Sequence, residues 1–248
     1  MTDKPSNEKT SKKQKTAAAW VHVFTATGLI PAMFSVDAIW QGEAYLALLW
    51  LAVAMIVDGL DGPLARRMEV SKHLPQIDGA ILDHVIDYVS YCFIPALIVY
   101  RFDLVPEGWA IAATSVLLMS SLYTFANREL KTVSNDFRGF PALWNIVVFY
   151  MIMFETSPMT NLGLIVFLSI MVFAPILVAH PIRVVSMRRL TIPALIVWTV
   201  LVGVYLWNGH QGGGLAELPV SIRILFWALS FYFVFLSAWR SVKLAGEK

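Results

Sequence analysis

Apolar segments of about twenty residues follow one another along almost the whole chain, and this feature constrains the fold more than any other. Hydrophobic residues make up 58% of the 248 residues, charged residues make up 15%, and the mean hydropathy is +0.65. A helix of about 20 apolar residues spans the hydrocarbon core of a bilayer. The sequence therefore predicts an all-α, polytopic membrane protein and excludes a water-soluble globular domain.

Short polar links separate these segments, and the alternation predicts eight transmembrane helices. Two helices have a recognisable start, with Asp78 as the N-cap of the third and Pro141 in the first turn of the fifth. Lys and Arg concentrate in every second link and near both termini, so we expect both termini to be cytoplasmic. The predicted spans are residues 21–40, 44–67, 78–100, 107–128, 141–157, 162–182, 190–207 and 219–240.

Residues 1–16 differ from the rest of the chain, because they carry five lysines and no apolar periodicity. We expect a disordered basic cytoplasmic tail there, followed by a single transmembrane domain at residues 17–248. Contact of the tail with anionic lipid and simple solvation both remain open. Cys92 is the one cysteine in the sequence, so no disulfide bond forms within the chain.

Four aspartates lie inside the second and third apolar segments. Asp58 and Asp61 share one face of a helix, and Asp83 and Asp87 share one face of the next. The polar link at residues 68–77 predicts a turn in water, so the two spans form an antiparallel hairpin. At a rise of about 1.5 Å per residue, all four carboxylates lie within roughly 15 Å of the turn and converge at one depth.

Carboxylates gathered in an apolar environment repel one another, and divalent cations remove that repulsion. Hard cations take oxygen ligands, and two of them can share bridging carboxylates. Gly62, Ala65 and Gly79 leave open volume on the same helix faces, and Arg66 adds a bidentate donor suited to phosphate. Together these residues predict a site for a diphosphate.

The motif itself resembles a known family. The chain reads DGLDGPLAR, then twelve residues, then G-x3-D-x3-D, and so resembles the signature of the CDP-alcohol phosphotransferases at all eight fixed positions. The twelve-residue gap, the run FRGFPALWN at residues 137–145 and the count of eight spans are similar to the bacterial phosphatidylcholine synthase branch of that family.

The resemblance implies an enzyme that transfers the phosphatidyl group of CDP-diacylglycerol to choline, with release of CMP. It implies a site with two divalent cations, Mn²⁺ or Mg²⁺, bound by Asp58, Asp61 and Asp83. Asp87 is expected to contact the metal and to take the proton from the attacking alcohol as the catalytic base. The enzyme would lie in the bacterial inner membrane, with its active site facing the cytoplasm.

Further residues are candidates for substrate binding by type and position. For the choline site, the candidates are aromatic side chains and one amide side chain at the same predicted membrane depth as the aspartates. Aromatic rings attract quaternary ammonium groups such as that of choline. An interfacial belt or plain packing is the alternative for each of them, helix packing is the alternative for Thr27, and a positive-inside anchor is the alternative for Arg128 and Arg138. The candidates for CDP-diacylglycerol are Gly62, Ala65, Arg66, Gly79, Thr27, Arg128 and Arg138, and those for choline are Tyr88, Tyr91, Trp144 and Asn145.

Other acceptors and other classes of membrane protein are the alternatives to this function. Serine, inositol phosphate and glycerol phosphate are alternative acceptors, but only Arg128 and Arg138 are available for a phosphorylated alcohol. A prenyltransferase would carry a second aspartate cluster, and an ion-coupled transporter would favour inverted repeats, and the sequence has neither feature. We expect the bilayer and the two substrates as partners, and no nucleic acid. A homodimer is left open.

Overall fold

The computed structural model describes residues 11–127, 137–174, 177–178 and 188–246. The regular secondary structure of these residues is helical except for one short antiparallel pairing, in which β1 (Phe137–Arg138) lies beside β2 (Leu177–Val178). The helices are α1 (Lys12–Ala26), α2 (Leu29–Gln41), α3 (Ala44–Arg67), α4 (Val70–His73), α5 (Gly79–Tyr88), a π-helical segment (Val89–Phe93), α6 (Ile94–Arg101), α7 (Ala110–Ala126), α8 (Trp144–Met153), α9 (Pro158–Met171), α10 (Arg188–His210), a 3-10 turn (Leu215–Glu217) and α11 (Val220–Gly246).

Hydropathy and helix length together make this a multi-pass membrane protein. Three shorter apolar helices, α7, α8 and α9, occupy the positions of the fourth to sixth predicted spans. Among the described residues, five helical stretches are long and apolar enough to cross a membrane, namely Lys12–Gln41, Ala44–Arg67, Gly79–Arg101, Arg189–His210 and Val220–Trp239.

The first helix begins earlier than the sequence suggested. Ser11 caps it by accepting a hydrogen bond from the backbone N–H of Gln14, while the Gln14 side chain accepts one from the backbone N–H of Ser11. Lys12 to Thr16 are therefore helical, and the prediction of disorder is wrong for these residues. The remainder of the predicted tail, residues 1–10, lies outside the described residues.

The link between the second and third predicted spans is partly buried rather than a turn in water. It contains the short helix α4, whose Val70 packs with Leu74 against Ala18 and Val21 of α1. His73 is buried in the same link. Val70 and Leu74 are four residues apart and so face the same side, a pattern that the polar neighbours in the sequence concealed.

The start predicted for the fifth span is wrong by three residues, because α8 begins at Trp144 rather than at Pro141. The backbone before it is held in a conformation that no helix can continue, with φ of +80° at Gly139 and +57° at Ala142. Phe140 donates its N–H to the carbonyl of Met171 over 3.0 Å. A Cβ on Gly139 would collide with the carbonyl oxygen of Val172, so glycine is required there.

Two apolar clusters flank the middle of α3. The larger one joins most of the helices and includes Leu51 of α3, Ile98 of α6 and Trp144 of α8. The smaller one is the contact between α1 and α4, against which Ala65 packs. The aspartates of α3 lie between these two clusters, and α1 packs against both α3 and α5. The fold thereby encloses the carboxylates that the motif contributes.

Candidate active site

Three of the four aspartates converge closely. Asp58 of α3 and Asp83 and Asp87 of α5 each place a carboxylate oxygen within 4.8 Å of the others. Oxygen ligands at this spacing suit a hard divalent cation, so this group could hold a metal ion. The convergence that helical periodicity predicted for these three side chains is confirmed.

Asp61 lies in the same cavity, on the side nearer to the link between α3 and α5. Its side chain is only 5% exposed, and the Thr25 hydroxyl faces its carboxylate. Arg66 folds back along α3, with Nη1 3.3 Å from the position that a Cβ on Gly62 would occupy. The exposed Arg66 guanidinium is thus within electrostatic range of Asp61 while it remains open to a phosphate.

The space that these side chains enclose is small, about the size of a single water molecule. It therefore suits a bound ion or water at the charged end of a substrate rather than a whole nucleotide-linked lipid. It is lined by Thr25, Gly28, Ala54, Val57, Asp58, Asp61, Asp83, Ile86, Asp87, Ser90 and Tyr91.

Local structure on α5 sets the direction of its two aspartates. Asp78 caps the helix by accepting hydrogen bonds from the backbone N–H groups of Ala80 and Ile81, at 3.0 and 3.2 Å, so its predicted role is confirmed. Asp83 and Asp87, four residues apart, then face the same side.

The π-helical segment that follows α5 continues the wall of the cavity. It brings Ser90 and Tyr91 to the same space as the carboxylates. The Tyr91 hydroxyl donates a 2.7 Å hydrogen bond to Oδ2 of Asp58, which couples this segment to α3. π-Helical turns are rare and occur frequently at functional sites.

The junction of α1 and α2 contributes Thr25 and Gly28 to the cavity, and the role of Thr27 in substrate binding stays a prediction. Thr27 donates its hydroxyl to the carbonyl of Phe24 over 2.6 Å, whereas Thr25 lines the cavity. At Gly28 an added Cβ would lie 3.3 Å from Cγ2 of Ile86, so this junction packs tightly against α5. The three-residue spacing of Thr25 and Gly28 is the signal that could have identified this face.

A buried histidine adjoins the glycine that begins α5. An added Cβ on Gly79 would lie 3.0 Å from Cε1 of His22, so the absence of a side chain at Gly79 makes room for the imidazole. His22 is 8% exposed, and it precedes Thr25 by one turn of α1. No pattern in the sequence singles out His22, because an isolated histidine in a helix carries no motif.

The four candidates for choline binding differ in whether they line the carboxylate cavity. Tyr91 lines the carboxylate cavity, whereas the Tyr88 hydroxyl donates to the carbonyl of Leu118 at 3.0 Å. Trp144 is fully buried, donates Nε1–H to Ser121 over 2.7 Å and is not among the described residues that line the carboxylate cavity, so its choline role stays a prediction. Hydropathy gave the depth of these rings but not their direction.

Asn145, the remaining choline candidate, is buried at a different place. It lines an apolar cavity with Met55 of α3 and Trp198 of α10, and its side-chain nitrogen lies 3.9 Å from the Met55 sulfur. Asn145 is not among the residues that line the carboxylate cavity in the described part of the chain.

Two arginines proposed for phosphate binding cannot be placed against the cavity. Arg128 lies outside the described residues, and for Arg138 the structure describes the backbone in β1 without the side chain. Their roles stay predictions.

The site is a cluster of carboxylates on two apolar helices, and these carboxylates belong to a motif of eight fixed positions. Comparison with known proteins identifies the family that shares this motif. Residues 15–179 match the family model described as CDP-alcohol phosphatidyltransferase. The chain belongs to this family and is a phosphatidyltransferase enzyme, which confirms the relationship predicted from the motif.

Individual relatives extend the likeness over nearly the whole chain. The phosphatidylcholine synthase of Pseudomonas aeruginosa is 39% identical over 228 residues, which cover 92% of this chain and 93% of that protein. The phosphatidylcholine synthase of Brucella melitensis is 33% identical over 238 residues, or 96% of this chain and 84% of that protein. That of Rhizobium meliloti is 39% identical over 186 residues, covering 75% of this chain and 76% of that protein.

Proposed function

We propose that this enzyme transfers the phosphatidyl group of CDP-diacylglycerol to choline, giving phosphatidylcholine and CMP. The observation that carries the proposal is the convergence of Asp58, Asp83 and Asp87 on one cavity within the family motif. The choice of choline is supported by relatives named phosphatidylcholine synthase that match more than nine-tenths of the chain.

Cation binding belongs to the same proposal. Asp58, Asp83 and Asp87, with Asp61 beside them, would hold Mn²⁺ or Mg²⁺ through their carboxylate oxygens. We expect two ions, which when bound neutralise the diphosphate and stabilise the departing CMP. Four acidic side chains within a largely apolar fold repel one another, and bound cations would neutralise that repulsion.

The remaining steps fall to the side chains themselves. The choline hydroxyl oxygen forms a bond to the phosphorus next to diacylglycerol, and the bond from that phosphorus to the CMP oxygen breaks. Asp87 takes the hydroxyl proton, and the bonding electron pair leaves with CMP. Arg66, which is exposed, would bind a phosphate oxygen. The family motif places the cytidine end near Gly62, Ala65 and Gly79, where Arg66 lies against Gly62 and His22 against Gly79.

The proposed topology has eight spans, both termini in the cytoplasm and the α3–α5 hairpin at the cytoplasmic side of the bacterial inner membrane. One contact supports this orientation: His210 at the end of α10 lies 3.3 Å from Glu43 at the start of α3. The opposite ends of these two helices, with Arg67 and Arg189, therefore share one side, and basic residues favour the cytoplasm. The homodimer stays a prediction.

A single assay tests the function and its acceptor. Purified protein in detergent receives CDP-diacylglycerol and Mn²⁺, and each alcohol in turn: choline, serine, inositol phosphate or glycerol phosphate. We expect CMP release and a new lipid with choline. Product formation only with another alcohol would refute choline as acceptor, and absence of CMP release with all four would refute the reaction.

A further inference from the structure

Ser90 is the hydroxyl of the cavity whose role no motif assigns. Its side chain is 6% exposed and lines the same space as the four aspartates. Its Oγ is buried and has no hydrogen-bond partner among the described residues. A buried hydroxyl without a partner destabilises a fold, so such a group calls for an explanation from outside the chain.

Several other hydroxyls in the described helices bond to the backbone of their own helix. Ser121 donates to the carbonyl of Leu117 at 2.7 Å, and Thr114 donates to that of Ala110 at 2.7 Å. Ser90 makes no such bond, and it lies in the π-helical segment rather than in an α-helix. Its hydroxyl is therefore free to point at a partner in the cavity.

The neighbouring hydroxyls of the cavity are already engaged. Tyr91 donates to Asp58, and Thr25 faces Asp61. Ser90 follows Asp87 by three residues, which places it one helical turn beyond that carboxylate. It is thus the one hydroxyl in the described cavity lining that remains available to a bound group.

We propose that Ser90 belongs to the cation-binding shell of the cavity and is a positioning residue for the bound ion. This inference rests on the proposed function. A hydroxyl offers two acceptor lone pairs and one donor, so Oγ can contact a cation or orient a water bound to it. Mg²⁺ requires near-octahedral coordination by oxygen atoms. If Asp58, Asp83 and Asp87 each contribute one oxygen, further oxygen ligands are needed to complete the coordination.

The test is Mn²⁺ binding to the purified, substrate-free protein, read from the electron paramagnetic resonance signal of free Mn²⁺. We expect Ser90→Ala to raise the dissociation constant about 10- to 100-fold, the range found when groups that support metal ligands are removed. Ser90→Thr, which keeps the hydroxyl, is expected to bind closer to wild type than Ser90→Ala does.

Ser169→Ala is the matched control. Ser169 of α9 is also buried, at 4% exposure, and its Oγ likewise has no partner among the described residues, but it does not line the cavity. The same removal of a hydroxyl there is expected to leave Mn²⁺ binding unchanged. Equal weakening in both variants would show a general packing effect and would overturn the assignment of Ser90.

Thermal unfolding supplies a second measurement with a characteristic pattern. In EDTA, Ser90→Ala is expected to unfold no earlier than wild type, because no hydrogen bond is lost. In saturating Mn²⁺ it is expected to gain less stability than wild type. Wild-type Mn²⁺ affinity in Ser90→Ala, in a protein that still makes phosphatidylcholine, would overturn this inference alone. Failure of wild type to bind Mn²⁺ and to release CMP would overturn the proposed function.

Discussion

Tyr91→Phe tests whether the Tyr91 hydroxyl or the Tyr91 ring serves the reaction. The hydroxyl donates a 2.7 Å hydrogen bond to Oδ2 of Asp58, and the side chain is 8% exposed. The substitution removes that donor and retains the aromatic face. We expect Asp58 to lose its fixed orientation toward Asp83 and Asp87, and cation binding and turnover to fall with it.

The size of the effect follows from the bond that is lost. Hydrogen bonds to charged groups contribute about 1.5–3 kcal/mol. Since about 1.4 kcal/mol corresponds to a factor of ten, kcat/KM should fall roughly 10- to 150-fold. The KM for choline should change little, because phenylalanine also attracts a quaternary ammonium group. A loss of kcat/KM with an unchanged KM for choline therefore indicates that the hydroxyl positions Asp58. A raised KM for choline would instead indicate that the Tyr91 side chain contacts choline.

The assay is steady-state CMP release in detergent micelles, with Mn²⁺ and choline varied independently. Tyr88→Phe is the matched control, because the Tyr88 hydroxyl donates to the carbonyl of Leu118 and Tyr88 does not line the described cavity. That variant should keep the Mn²⁺ dependence of wild type. Wild-type kcat and Mn²⁺ dependence in Tyr91→Phe, or an equal loss in Tyr88→Phe, would refute the positioning role.

Three further predictions follow from the same cavity. Asp87→Asn should lower kcat by about 10²- to 10⁴-fold, the usual contribution of a general base, while thermal unfolding shows a folded protein; normal turnover would exclude Asp87 as the base. Excess EDTA should abolish CMP release and added Mn²⁺ or Mg²⁺ should restore it, whereas full activity in EDTA would contradict a metal site. Gly79→Ala should lower the unfolding temperature and activity, since overpacking costs about 1–3 kcal/mol, and His22→Ala in the same chain should restore part of both; strictly additive effects would contradict the contact.

The sequence by itself determined the class of fold and the identity of the carboxylate cluster. Hydropathy predicted residues 44–67 as one span, and α3 runs from Ala44 to Arg67. Helical periodicity put Asp83 and Asp87 on one face, and the local preference of Asp78 for an N-cap position predicted where α5 begins. These features depend on residues a few positions apart, which is why a pattern in the chain was sufficient.

Only the tertiary structure decided which neighbours of the aspartates face the cavity. Successive residues of a helix point about 100° apart, so Tyr88 and Tyr91, or Thr25 and Thr27, differ in direction although hydropathy treats them alike. The contact of His22 with Gly79 joins residues far apart in the sequence and depends on how α1 packs across α5. The rotation and packing of whole helices set these contacts, because they minimise the free energy of the assembled bundle rather than of any single segment.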